Sequence, residues 1–257
     1  MKLELSILVI VSIFVVVVLA WVVKKIFNNQ LDDDIEITNL TGQCINLIYR
    51  PERRYAMTLK LNKAGILKHI TFFDAINATN IPHSIIKNKP DVKIGRLGCW
   101  LSHYNIWKNH INNNNKNDIL FVLEDDAVFV ENFKQILQTV LSDLSSSQFI
   151  HDEWDFCFLG RLILDANCKD TIVPDTQSPL VKINCDFYQM HAYLVNPKSI
   201  SKLLDMFDLE NNPDTCGTID VYMTNYIMKG KILAYATDTN IVEQAYIGSD
   251  TEAEPNI

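Results

Sequence analysis

"ILFVLEDDAVF", residues Ile119–Phe129, sets five apolar residues directly before three adjacent carboxylates, Glu124, Asp125 and Asp126. A short, wholly apolar run is what a strand buried on both faces requires. Ligands of open α/β sheets bind beyond the carboxyl ends of the strands, so the acids stand where a site is expected. In an extended chain residues i and i+2 point to the same side, which puts Glu124 and Asp126 on one face and turns Asp125 away. Two converging carboxylates are costly unless a cation or a proton neutralises them. Hard divalent cations such as Mn2+ or Mg2+ take oxygen ligands and keep positions open for phosphate oxygens. The competing reading is an acidic turn that caps the following helix through its dipole. The triplet alone does not separate the two.

Outward from that strand, apolar runs alternate with amphipathic stretches. "CINLIY" (Cys44–Tyr49) reads as a buried strand, followed by Pro51 at a helix start and a helical spacing that ends at Gly65. "ILKHITFF" (Ile66–Phe73), "WDFCFLG" (Trp154–Gly160), "MHAYLV" (Met190–Val195) and "KILAYA" (Lys231–Ala236) read as further strands. Helices are expected over Gly95–Ile111, "NFKQILQTVLSDL" (Asn132–Leu144), "PKSISKLLDMF" (Pro197–Phe207) and "TIDVYMTNYIMKG" (Thr218–Gly230). Strands separated by helices need crossover connections, so the expected architecture is α/β, a mostly parallel sheet flanked by helices.

The chain has 257 residues, 48% of them hydrophobic, enough for one good-sized domain. A formal net charge of -8 and the lack of any Lys/Arg stripe exclude nucleic acid as a partner. Six cysteines are scattered without a CxxC pair, so zinc is not expected, while disulfides and redox compartment stay open. Leu5–Val23 is uncharged and, as a helix, would reach roughly 28 Å, close to the hydrocarbon thickness of a bilayer. Its apolar core is too long for a cleaved signal peptide, and no small-x-small cleavage site follows. A single-pass membrane anchor is therefore expected. Lys24 and Lys25 on its C-terminal flank favour a cytosolic domain, whereas the sequons at Asn39 and Asn77 matter only on the lumenal side. The side stays open. The organisation expected is an anchor over 1–27, a polar tether over 28–40, the globular domain over 41–250 and a flexible tail over 251–257.

"INLIYRPERR" (Ile45–Arg54), "GRLGCWLSHYNIW" (Gly95–Trp107) and "LFVLEDDAVF" (Leu120–Phe129) together closely resemble the motif set of glycosyltransferase family 25. That family includes bacterial lipooligosaccharide galactosyltransferases and the galactosyltransferases that modify collagen hydroxylysine. The likeness continues through "TFFDAINA" (Thr71–Ala78), "DFCFLG" (Asp155–Gly160), "HAYLVNPKSISKLL" (His191–Leu204), "TIDVYM" (Thr218–Met223) and "NIVEQ" (Asn240–Gln244). Each block alone is weak, but they fall in the family's order over roughly residues 43 to 250.

The resemblance implies a GT-A-type fold, a UDP-sugar donor, Mn2+ or Mg2+, and transfer of galactose or glucose to a glycan or protein hydroxyl with inversion. It places Glu124 and Asp126 as metal ligands, with Asp125 as a donor contact, on the ribose for instance. Asp220, in the family's late aspartate position, becomes the candidate general base; the residue-level alternatives are a helix-terminal acid stabilising the dipole, or a donor contact. His103 shares a helical stripe with Trp100 and Trp107, which reads either as core or as part of the substrate site. Arg50 and Arg53 would offer planar donor forks to the diphosphate, or else be solvated helix residues, the reading preferred for Arg54. Asn46 would be a buried hydrogen-bonding residue near the nucleotide base. Two departures stand out: Arg96 where the family usually has an acid, and His191-Ala192 where a glycine is common. They leave room for a rival expectation, a catalytically degenerate, membrane-anchored module that binds a glycan or a partner.

Overall fold

The computed structural model describes residues 14–19, 36–114, 116–146, 149, 154–212 and 217–245. The chain divides into two units, Met1–Ile37 and Thr38–Ile257. In the first, residues 14–19 are helical with exposed side chains, Phe14 among them. No helix among the described residues is long and apolar enough to cross a membrane. The remainder of the expected span, with the tether up to residue 35 and the tail, lies outside the described residues.

In the second unit β1 (Leu40–Asn46) is followed by α1 (Pro51–Lys63), β2 (Ile70–Asp74), α2 (His83–Asn88), α3 (Ile94–Ile111) and β3 (Ile119–Glu124). Then come β4 (Ala127–Phe129), α4 (Phe133–Leu144), β5 (Phe156–Phe158), β6 (Leu162–Ile163), β7 (Thr171–Ile172), β8 (Leu180–Lys182) and β9 (Phe187–Tyr188). The described chain closes with β10 (Ala192–Val195), α5 (Ile200–Met206), α6 (Ile219–Met228), β11 (Ala234–Thr237) and β12 (Val242–Gln244). The main sheet is ordered β2-β1-β3-β10-β5-β11-β8-β7, and β12 pairs with β4 and β6 with β9 in two small ribbons. β1 runs parallel to β2 and to β3, and β11 parallel to β5, while β10 and β8 are antiparallel to both of their neighbours. Six of the eight strands therefore point the same way. The fold is mixed α/β with a mostly parallel sheet.

β3 decides where the core sits. Its residues Leu120 to Leu123 are wholly buried between β1 and β10, and the pleat sends alternate side chains to opposite faces. Leu120 and Val122 join a cluster with Trp100 and Trp107 of α3, Phe156, Tyr193 and the apolar faces of α5 and α6. On the other face Phe121 stacks on Phe133 of α4, with ring centroids 6.3 Å apart. Each of the buried tryptophans contributes about 3 kcal/mol or more to stability, by the usual cost of truncating such a side chain. Gly98 lets α3 press close: a Cβ there would lie 2.4 Å from the carbonyl oxygen of Ile76.

Two expectations need correcting. The strand expected over Cys44–Tyr49 begins at Leu40 and ends at Asn46; Ile48 and Tyr49 lie in an exposed turn. Partners on both sides set those bounds, because β1 pairs from Leu40 onward with β3 and from Gly42 with β2. The stretch before Ile70 is a 3-10 turn, Leu67–His69, so β2 starts later than its apolar run. The segment from β6 to β9 contains strand pieces, an Arg161–Asp170 ion pair and a disulfide between Cys168 and Cys185. Among the described residues Cys44, Cys99 and Cys157 are free.

Candidate functional site

β3 stops at Glu124, and Asp125 and Asp126 form the turn into β4. The i, i+2 rule of an extended chain therefore does not govern the triplet, and the three carboxylates take three different partners. Glu124 remains in register with Ile45 of β1, and its backbone N–H donates to the carbonyl of His191 at 2.9 Å. Its Oε1 lies 3.4 Å from Nε2 of His103. Asp125 turns towards the end of β1, where Asn46 Nδ2 donates to Oδ2 at 2.7 Å and Arg53 Nη1 approaches Oδ1 at 3.5 Å. Asp126 turns towards β12, where Gln244 Nε2 donates to Oδ2 at 2.9 Å. Its other oxygen, Oδ1, is buried without a hydrogen-bond partner.

The electrostatics follow from these surroundings. Burial opposes ionisation of Glu124, but the adjacent imidazole of His103 and, more weakly, His191 hold its carboxyl below the ordinary range. Burial raises the carboxyl of Asp125, against the hydrogen bond from Asn46 and the charge of Arg53. Asp126 is raised to about 7, first by burial and then by the charge of Glu124, with the Gln244 hydrogen bond pulling the other way. An aspartate buried beside a charged neighbour, with a bare oxygen, is a group poised to take a cation or a proton.

Around the acids the fold assembles groups distant in sequence. His103, on α3, is wholly buried; its Nδ1 lies 2.7 Å from the hydroxyl of Tyr193 on β10, which also accepts from Trp107 Nε1 at 3.2 Å. Cys99 stands one helical turn before His103, and ligand atoms of Cys99, His103 and Glu124 all lie within 4.8 Å of one another. Burial raises the thiol of Cys99 well above its ordinary value, and Glu124, Asp220 and Asp126 add to the rise. These three acids thus act on one small region.

Asp220 sits in the first turn of α6 and accepts from its neighbour Val221 N at 2.9 Å and from Gln189 N at 3.2 Å. Gln189 takes a left-handed φ of 78°, a conformation disfavoured for a residue with a side chain. His191 is wholly buried: Nε2 donates to the carbonyl of Val242 at 3.0 Å, while Nδ1 has no partner. Gly160 makes this crossing possible, since a Cβ there would fall 1.8 Å from the Val242 carbonyl.

Of the residues expected from the sequence, Glu124, Asp125, Asp126, Asn46, Arg53 and His103 come together at the carboxyl edge of the sheet. Among the described residues Asp220 stands outside this set of contacts; its carboxylate accepts from Val221 N and Gln189 N. Arg50 caps α1 with its carbonyl accepting from Asn46 Nδ2 at 3.3 Å, and its guanidinium lies 3.8 Å from Glu52. Arg54 pairs with Asp74 at the surface, as a solvated helix residue does. Arg96 falls in the first turn of α3. Sequence reasoning missed Cys99, whose spacing of four from His103 is itself a readable signal. It also missed the hydrogen bonds of Tyr193 and Gln244, for which no local signal exists.

The family model of glycosyltransferase family 25 (LPS biosynthesis protein) matches residues 42–223. Procollagen galactosyltransferase 1-A of Xenopus laevis is 33% identical over 174 residues, which make up 63% of this chain and 27% of that protein. A procollagen lysyl hydroxylase and glycosyltransferase of Acanthamoeba polyphaga mimivirus is 28% identical over 186 residues, 65% of this chain and 20% of that protein. The probable inactive glycosyltransferase 25 family member 3 of Rattus norvegicus is 26% identical over 174 residues, 62% of this chain and 29% of that protein. The match thus spans between a fifth and a third of the length of these relatives.

Proposed function

The chain belongs to glycosyltransferase family 25, and from that membership we propose that it is a hexosyltransferase of GT-A type. It moves galactose or glucose from a UDP-sugar to a hydroxyl of a glycan or protein, with inversion. The observation that carries this reading is the buried, unpartnered Oδ1 of Asp126 at the carboxyl edge of the sheet, beside a second carboxylate. An oxygen stripped of water and of protein donors fits a divalent cation. Asp126 and Glu124 would hold Mn2+ or Mg2+, which when bound neutralises charge on the leaving diphosphate.

The chain's own residues divide the remaining work. Asn46 and Arg53 fix the carboxylate of Asp125 as a contact for the donor. Asp220 takes the proton from the acceptor hydroxyl, its carboxylate oriented by the N–H groups of Val221 and Gln189. His103 orients Glu124 from the interior. Membrane attachment through residues 1–27 belongs to the same proposal. The Cys168–Cys185 disulfide supports a domain in an oxidising compartment, against the pull of the flanking lysines.

The full chain, incubated with a panel of UDP-hexoses and Mn2+, should release UDP with at least one donor and stop on addition of EDTA. A second reading, a degenerate binding module, draws on the relative whose name marks it as probably inactive. It predicts no UDP release, but a rise in melting temperature when UDP and Mn2+ are added together. Neither release nor thermal shift across the panel sinks both readings.

A further inference from the structure

We propose that Cys99, His103 and Glu124 form a binding site for one thiophilic divalent cation, of the zinc or cobalt class, with its fourth position open. The proposal goes beyond the transferase reading and does not require it. Cys99 and His103 lie four residues apart on α3, so both side chains project from the same face, and Glu124 meets them from the tip of β3. Their ligand atoms already lie within 4.8 Å of one another. In a tetrahedral site the metal stands about 2.0–2.3 Å from each donor; the 3.4 Å edge between His103 Nε2 and Glu124 Oε1 already suits such a site.

A second, independent observation comes from His103. Its ring is wholly buried, and Nδ1 is committed to the hydroxyl of Tyr193, itself held by Trp107 Nε1. Nε2 makes no well-formed hydrogen bond and faces Glu124 Oε1 at an ion-pair distance of 3.4 Å. An imidazole anchored through one nitrogen, with the other turned towards a carboxylate in a group that also holds a thiol, is the arrangement in which neighbours orient a ligating histidine.

The donor set names the ion. One thiol, one imidazole and one carboxylate suit zinc or cobalt, whereas Mn2+ and Mg2+ prefer oxygen throughout. Three protein ligands with a free fourth position describe a site open to an exchangeable ligand, not a closed structural one. Binding replaces the thiol proton by the metal and releases that proton to solvent. Because Glu124 serves this group, an ion here also removes one oxygen ligand from the site proposed around Asp126.

Cobalt titration of the chelator-treated full chain tests the proposal. One equivalent should bring in a near-ultraviolet thiolate-to-cobalt charge-transfer band together with intense visible bands of tetrahedral cobalt. Cys99→Ser should abolish the near-ultraviolet band while circular dichroism stays that of the wild type. Asp126→Asn should keep the cobalt spectrum, because Asp126 is not among the three ligands; loss of that spectrum in a folded Asp126→Asn chain overturns the ligand set. A folded wild-type chain giving only weak, octahedral-type absorption overturns the proposal, as does a charge-transfer band that survives in Cys99→Ser. A cobalt spectrum from one portion of the chain, with no UDP release from another portion loaded with Mn2+ alone, overturns the transferase reading and leaves this one standing.

Discussion

Asp143 and Asp126 are both aspartates withdrawn from solvent in one domain, and what surrounds them could hardly differ more. Asp143, on α4, uses both oxygens within the protein: Oδ1 accepts from Gln177 N at 3.0 Å, and Oδ2 from Ser178 N at 2.7 Å and from the Ser178 hydroxyl. It ties the segment before β8 to the helix and has nothing left to offer. Asp126 has one donor, from Gln244, and one bare buried oxygen. A buried carboxylate with a full set of donors stabilises a fold, whereas one with an incomplete set costs stability and is retained for something that is not protein. Completeness, more than burial, separates the scaffold from the site.

Asp126→Asn breaks that contrast most sharply, because it removes the charge and keeps the shape. Transfer should fall by about a thousandfold or more, on the order of 4 kcal/mol of lost transition-state stabilisation, read as UDP release. Stability should move the other way. The carboxyl titrates at about 7 in the folded protein, against roughly 3.9 in an unfolded chain. Below about pH 4 both states carry the proton and the group contributes nothing. Between there and pH 7 the unfolded state loses its proton first, so the folded state is increasingly penalised, and above about pH 7 the penalty is complete, on the order of 4 kcal/mol. In metal-free buffer the variant should therefore melt above wild type at pH 8 and level with it near pH 4. A variant that melts lower at pH 8 would mean that Asp126 is paired as Asp143 is.

Asp143→Ala probes the other side. It strands the backbone N–H groups of Gln177 and Ser178, so unfolding by urea should come easier by about 3 kcal/mol. Transfer per folded molecule should stay within about twofold of wild type. A large loss of turnover with little loss of stability would erase the distinction between the two aspartates.

Much of this was legible in the sequence, and the boundary of legibility has physical causes. β3 was readable because a strand buried on both faces must be apolar throughout, and Ile119–Leu123 is. The place of the acids beyond it was readable for the same reason. Their directions were not. The pleat continues only while hydrogen bonds to neighbours hold the chain extended, and the chain turns after Glu124. The partners that then claim each carboxylate come from β1, α3 and β12, with Gln244 separated from Asp126 by 118 positions. Nothing local encodes such a meeting. β1 was misplaced by the same kind of cause: "CINLIY" is apolar enough for a strand, but pairing with β2 and β3 ends at Asn46. The reversed course of β10 was likewise invisible, since an apolar run looks the same in either direction. Cys99 and His103 are the opposite case, a spacing of four on a well-marked helix that was there to be read.

The smallest expected effect sharpens the comparison between site and scaffold at neighbouring residues. Arg53 and Arg54 follow one another on α1, yet Arg53 Nη1 reaches the half-buried Asp125 at 3.5 Å, while Arg54 Nη1 meets the exposed Asp74 at 3.2 Å and its guanidinium lies over Phe72. A pair of charges in water gains little, because solvent screens the attraction and two long side chains lose freedom in making it. Arg54→Ala should change stability by no more than about 0.5–1 kcal/mol, including the ring contact, and leave transfer within about twofold. Arg53→Ala, at nearly the same position in sequence and with a longer contact, should cost about tenfold in transfer, because Asp125 then keeps only Asn46 of these two partners. Steady-state kinetics on the two variants decide the matter. If they lose activity equally, proximity to the sheet edge is enough to explain both, and the burial of Asp125 has no special part in holding the donor.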